Sequence, residues 1–203
     1  MAKILAIIGD PREKGTSRDL FQKYLAVFQE QPTIEVKIYD IRKLAFDPNL
    51  PEGYRTEQTP DIIALKNDVR SADLLLFSYP VWWFNVPAVL KGVIDHLFWP
   101  GESYSFKDKK YFLTGPWRKK RARLIYTIGG MEIQHRLFAR PALTALRYPL
   151  WMSGVFSVKV TSIDRLDLSI RRTDDYYDKK VTRAAKRDIQ FLLKKQIRKK
   201  VFA

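Results

Sequence analysis

Three turn-like segments carry the residue types that could hold a flat, phosphate-bearing ligand. The first, Ser78-Tyr-Pro-Val-Trp-Trp-Phe-Asn85, follows the apolar run 73–78 and crowds Trp82, Trp83 and Phe84 into a loop. Such a run suits the middle of a parallel sheet covered on both faces, and small molecules bind beyond the carboxyl ends of such strands. A flat ring could therefore rest on the aromatic side chains and backbone amides of residues 80–85. The second segment, Thr127-Ile-Gly-Gly130, ends another apolar run, and its two glycines let backbone N–H groups approach a ligand closely. Alone it is an ordinary tight turn; paired with the first, it would bracket one planar ring from two neighbouring strand ends. The third, Gly9-Asp-Pro-Arg-Glu-Lys-Gly-Thr-Ser-Arg18, joins a strand to a helix, where free amides and the helix dipole favour phosphate. It is not a Walker A loop, because Thr16 follows Gly15 with no lysine between them, and it is not G-x-G-x-x-G. The plainer role for Thr16 or Ser17 is a helix N-cap.

Positioning these segments requires alternating strands and helices. Strands are expected over 3–9, 34–40, 73–79, 122–128 and 155–163, and helices over 17–30, 61–71, 87–98, 137–148 and 175–200. Right-handed crossovers give an α/β protein with a doubly wound, parallel five-stranded sheet in the order 2-1-3-4-5 and helices on both faces. The closing helix repeats Val181, Ala185, Ile189, Leu192, Leu193 and Ile197 at helical spacing and packs on the sheet, with Lys and Arg on its other face. Residues 42–60 and 99–121 fall outside the alternation as long loops, which are usually functional or mobile.

The order Tyr-Pro-Val-Trp-Trp-Phe, then Val-Pro-Ala-Val-Leu-Lys-Gly, resembles the flavodoxin-like NAD(P)H:quinone oxidoreductase family. The likeness continues through Phe98, Trp99, Gly101, Glu102, Tyr104, Phe106, Gly115-Pro-Trp117 and Tyr126-Thr-Ile-Gly-Gly130, and becomes loose in the C-terminal third. The resemblance implies a flavodoxin-like sheet and a flavoprotein oxidoreductase in which NAD(P)H passes a hydride to flavin N5 and the electron pair goes on to a quinone. It implies FAD as cofactor, with FMN as the alternative. On this likeness Thr16, Ser17 and Arg18 receive the flavin phosphate. Pro80, Val81, Trp82, Trp83, Phe84 and Asn85 face Thr127, Ile128, Gly129 and Gly130 across the isoalloxazine. His135 falls near a family Tyr position as a catalytic donor, while the family's later His falls at Pro141 and is lost. Tyr104 and Phe106 match an aromatic pair that covers the substrate pocket from the partner subunit, so a homodimer with an interfacial active site is expected and Tyr104 joins His135 among the catalytic candidates. The chain departs from the family at Asp10-Pro11, where a carboxylate stands beside the expected phosphate.

Composition narrows the alternatives. At 203 residues and 46% hydrophobic content, the chain can bury one full core, so residues 1–203 are expected to form a single domain. With no cysteine, disulfides, thiolate metal sites and cysteine nucleophiles are excluded, which fits a cytoplasmic protein. Two histidines without a nearby carboxylate motif make no metal site. The first eight residues read as a buried strand rather than a secretory segment, and no apolar run reaches transmembrane length. The net charge of +15 favours phosphorylated ligands, polyanions or acidic surfaces without choosing among them, and a solvated face is the plainer account. Two other readings stay open: an FMN reductase or azoreductase, and a flavin-binding regulatory subunit of a membrane transporter. Nucleic-acid binding is disfavoured, because no helix-turn-helix, RRM or OB pattern is evident.

Overall fold

The third strand shows how the sheet is built. In the computed structural model, which describes residues 1–107 and 114–201 with side chains through residue 197, every residue of β3 (Leu74–Pro80) is buried. Leu75, Phe77 and Tyr79 point to one layer of the core, and Leu74 and Leu76 to the other, as the two-residue period of a strand demands. Only a strand covered on both faces tolerates that unbroken apolar run.

Around it lie β1 (Ala2–Ile8), β2 (Ile34–Asp40), β4 (Arg121–Thr127) and β5 (Ser157–Ile163), all parallel in the order β2-β1-β3-β4-β5. This is the order that the crossover rule gives. The helices α1 (Thr16–Gln29) and α6 (Asp174–Val201) pack on one face with Phe21, Tyr24, Phe28, Val181, Ala185 and Leu192. On the other face lie α2 (Pro60–Ser71), α3 (Ala88–Leu97) and α5 (Pro141–Met152). Thr59 caps α2 by accepting from the Ile62 amide, and Pro60 opens it where no N–H is needed.

A buried polar knot ties α6 to the sheet. Arg123 on β4 donates from Nε to Asp188 Oδ2 at 2.7 Å and from Nη2 to Oδ1 at 3.0 Å, and Tyr24 on α1 donates to Oδ2 at 2.7 Å.

One expected element differs. The helix expected over 137–148 begins only at Pro141, as α5, and a separate short helix, α4 (Glu132–Leu137), precedes it, with Ala139 (φ 58°) and Arg140 (φ 53°) left-handed between them. Pro141 is the cause, because its ring disfavours helical geometry at the residue before it and starts a new helix at its own position. The loop expected over 42–60 contains two short 3-10 turns, Ile41–Lys43 and Gly53–Arg55. Residues 108–113 of the loop expected over 99–121, and the side chains of residues 198–200 in the closing helix, lie outside the described residues. Among the described residues no helix is long and apolar enough to cross a membrane.

Candidate functional site

The loops that follow β1, β3, β4 and β5 meet at one edge of the sheet and enclose a cleft of about 350 Å³. Its first wall is the turn after β3. Val81 is tied to β4 through its amide and the Thr127 carbonyl at 2.8 Å, and Trp82 and Asn85 then exchange two backbone hydrogen bonds of 2.9 Å. The two residues between them, Trp83 (φ 47°) and Phe84 (φ 64°), are both left-handed. This is the geometry of a two-residue hairpin turn that favours Asn-Gly, and here it holds two aromatics. Each left-handed non-glycine residue costs on the order of 1–3 kcal/mol, and such strain concentrates at ligand sites. The result is display: Trp83 is 96% exposed, whereas Trp82 and Phe84 are only partly so.

The opposite wall is the turn after β4. Arg165 donates its amide to the Gly130 carbonyl at 2.7 Å, Leu166 to Ile128 at 3.3 Å and Asp167 to Gly129 at 3.1 Å. The loop between β5 and α6 thus consumes the carbonyls of this turn. Among the described residues the amides of Gly129 and Gly130 donate to no backbone or side-chain acceptor, which leaves them available to a ligand. A Cβ at Gly129 would stand 2.0 Å from an Asp167 carboxylate oxygen, so a larger residue there would require the Asp167 side chain to turn away.

The floor is the first loop, and it differs from a simple phosphate cradle. Asp10 is fully buried and accepts from Arg12 three times: from the backbone amide (3.0 Å), from Nε (3.0 Å) and from Nη2 (2.9 Å). That hydrogen bonding raises the Arg12 pKa, against a smaller opposing effect of burial. The Arg12 guanidinium also lies 5.7 Å from the centre of the Trp82 ring. Thr16 lines the cleft. Ser17 is buried, with its hydroxyl 3.4 Å from that of Ser78. Arg18 corrects an expectation: it does not line the cleft, because its guanidinium binds Asp40 at 2.7 and 3.2 Å and the Asp10 and Arg12 carbonyls at 2.9 and 3.2 Å. It braces the loop and has little left for a phosphate.

Pro80, Val81, Trp82, Thr127 and Gly129 therefore share the cleft with Thr16. Asn85 closes the aromatic turn, and its side-chain oxygen accepts from the Val86 amide at 2.8 Å. Ile128 and Gly130 sit in the facing turn, where β5 and its loop bind their backbone. His135 is a second correction. It is 1% exposed and packs edge-on against Tyr126 at 5.5 Å and behind Phe84 at 6.4 Å, so it supports the aromatic wall instead of facing the cleft. The start of α4 at Glu132 turns this side chain inward. Its Nδ1 lies 3.9 Å from Glu132 Oε2, beyond hydrogen-bond reach, and burial lowers its pKa. Glu132 accepts instead from the Tyr126 hydroxyl at 3.0 Å, and burial first, then this carboxylate, push the Tyr126 phenol well above its ordinary value.

Tyr104 and Phe106 lie elsewhere in the chain. Their rings meet at 5.5 Å and line a second cleft of about 280 Å³ with Tyr54, Phe98, Tyr148 and Met152. One copy of the chain does not bring them to the Trp82 cleft. Sequence reasoning missed Arg12, Leu166, Asp167 and Arg171, all of which line that cleft. The signal was topological, since the loop after the last strand of a parallel sheet opens on the same edge as the others.

Residues 2–187 match the family model described as a flavodoxin-like fold. The chain belongs to this family. Among curated proteins, this flavodoxin-like chain is 31% identical over 125 residues to NAD(P)H dehydrogenase [quinone] 1 of Cavia porcellus, covering 51% of this chain and 45% of that protein. It is 39% identical over 102 residues to human ribosyldihydronicotinamide dehydrogenase [quinone], covering 49% and 42%. It is also 31% identical over 122 residues to an FMN-dependent NADH:quinone oxidoreductase of Metamycoplasma arthritidis, covering 54% and 59%. The matched region spans about half the length of these curated relatives. Among solved structures, Smu.1420 of Streptococcus mutans aligns with a TM-score of 0.75 at 24% identity, covering 91% of this chain and 97% of that one. An FMN-dependent NADH-azoreductase of Bacillus anthracis in complex with FMN aligns at 0.73 and 16%, covering 92% and 99%. At these identities the structural likeness speaks for the flavodoxin-like fold.

Proposed function

We propose that the chain is a flavin-dependent NAD(P)H oxidoreductase that reduces quinones or similar two-electron acceptors. The observation that carries this reading is the cleft itself: a strained aromatic turn on one side faces glycine amides that meet no acceptor among the described residues on the other, at the carboxyl edge of a parallel sheet. The quinone dehydrogenases among its relatives support the reaction, and the FMN-dependent relative and structural neighbour favour FMN over the FAD that the motif resemblance implies.

A flavin fits these residues in its ring more readily than in its phosphate. Trp82 and Phe84 would wall a planar ring, and the Gly129 and Gly130 amides would donate to a carbonyl edge where negative charge accumulates on reduction. Thr16 and the amides at the start of α1 would receive a phosphate, with the cations Arg12 and Arg171 in the same cleft. The buried Asp10 opposes that phosphate, and its fork with Arg12 offsets part of the repulsion. When bound, the flavin supplies two-electron redox chemistry, with the overall balance NAD(P)H + H⁺ + quinone giving NAD(P)⁺ and hydroquinone. The protein residues bind and orient; among the described residues of the cleft none needs to act as a nucleophile.

The separation of Tyr104 and Phe106 from the cleft supports a homodimer in which each copy lends this aromatic pair to the other's site. The test is a visible spectrum of the purified protein, reconstituted with FMN if colourless, before and after anaerobic NADPH. Bleaching that a quinone reverses supports the oxidoreductase. Bands that persist support a flavin-binding partner role, and failure to take up flavin overturns the reading. Analytical ultracentrifugation tests the dimer separately.

A further inference from the structure

A second concave polar site lies on the outer edge of the sheet. Among the described residues β5 pairs only with β4, which leaves its other side open to them, and α6 runs beside it. Between them is a groove of about 250 Å³ lined by Arg123, Thr161, Ser162, Lys180, Arg183 and Arg187. It shares no residue with the Trp82 cleft.

Lys180, Arg183 and Arg187 recur at helical spacing on one face of α6. Among the described residues none of the three meets a carboxylate; Lys180 only approaches the Tyr176 ring, at 5.9 Å. The acid behind the groove, Asp188, is already spent on Arg123, Arg121 and Tyr24. Thr161, only 6% exposed, accepts from Arg123 Nη1 at 3.2 Å and keeps its own hydroxyl proton to donate. Like charges at this spacing cost a helix about 0.2–0.5 kcal/mol per pair. Protection of the open edge does not require them, since the exposed Lys159 on β5 serves that purpose.

A concave, hydroxyl-lined surface with two forked guanidinium groups matches the oxygens of phosphate. Lys180 to Arg187 spans about 10 Å of helix, the reach of two or three linked phosphates and too short for a nucleic-acid track. We propose that this groove is a binding site for a small oligophosphate, held by Lys180, Arg183 and Arg187 with the Thr161 and Ser162 hydroxyls.

The test is calorimetric titration of the full chain with inorganic tripolyphosphate at low salt. One site with a dissociation constant below about 1 mM is expected. The double variant Arg183→Ala/Arg187→Ala, both exposed side chains, weakens binding by about tenfold or more. The control Lys186→Ala/Lys194→Ala removes the same charge from exposed α6 positions outside the groove and changes affinity by less than about twofold. Circular dichroism checks that both variants keep the fold. No binding by the parent chain, or equal losses in the two variants, overturns the proposal. So does tighter binding of a single-stranded DNA of about 12 nucleotides that depends on Lys186 and Lys194 as strongly as on the groove arginines.

Discussion

Arg12 closes a fork on Asp10: its Nε lies 3.0 Å from one carboxylate oxygen and its Nη2 2.9 Å from the other. The carboxylate is fully buried, so the pair consumes at the mouth of α1 the cation that a phosphate would otherwise meet. Asp10→Asn removes the competing charge while an amide oxygen can still accept from the Arg12 backbone. FMN affinity should rise by about three- to tenfold, read by quenching of flavin fluorescence on titration. An unchanged affinity would mean that the phosphate is held away from this loop.

The left-handed pair in the aromatic turn offers a trade between stability and binding. Trp83 is almost wholly exposed, so it gains little from packing while bearing a conformation that Asn adopts more easily. Trp83→Asn should stabilise the chain by about 1 kcal/mol in urea unfolding. If the turn exists to display an aromatic to a ligand or a second subunit, the same variant loses flavin affinity or dimer stability.

The sheet was legible in the sequence because its signals are local. The apolar run ending in β3, the alternation of runs and helical patterns, and Gly-Gly after β4 each declare themselves within a few residues. The two walls of the cleft followed from strand ends alone. What escaped depends on contacts between distant segments. Arg18 is next to Thr16 and Ser17, yet Asp40 at the end of β2 takes its guanidinium. Asp167 and Arg171 reach the cleft only because the loop after β5 folds back on the glycine turn. The inward turn of His135 depends on where α4 begins, and the break at Pro141 displaced that boundary in the sequence reading.

The Arg123 and Asp188 pair tests how the closing helix is held. Both are buried, and Asp188 also serves Arg121 and Tyr24. Asp188→Ala leaves a buried guanidinium without its carboxylate and should destabilise the fold by about 3–5 kcal/mol in urea unfolding. Lys179 and Asp175 form an exposed pair on the same helix, and Asp175→Ala should cost no more than about 0.5 kcal/mol. Similar losses for the two variants would mean that α6 is not anchored through this knot.

His135 gives the chain a pH dependence of definite sign. Burial lowers its pKa below the ordinary 6.5, so as pH falls below that value the unfolded chain binds a proton that the folded chain resists. Its contribution to stability is therefore complete above pH 6.5 and declines as pH drops toward the lower, folded value. Glu132 opposes the shift, and Arg140 on the helix break reinforces it. His135→Phe keeps a ring behind Phe84 and removes the titration, so its urea-unfolding free energy should fall less than that of the parent chain between pH 6.5 and about pH 5. Equal slopes for the two proteins would place the imidazole in water. Flavin reduction by NADPH should survive the same substitution, because the ring braces the aromatic wall from behind and does not line the cleft.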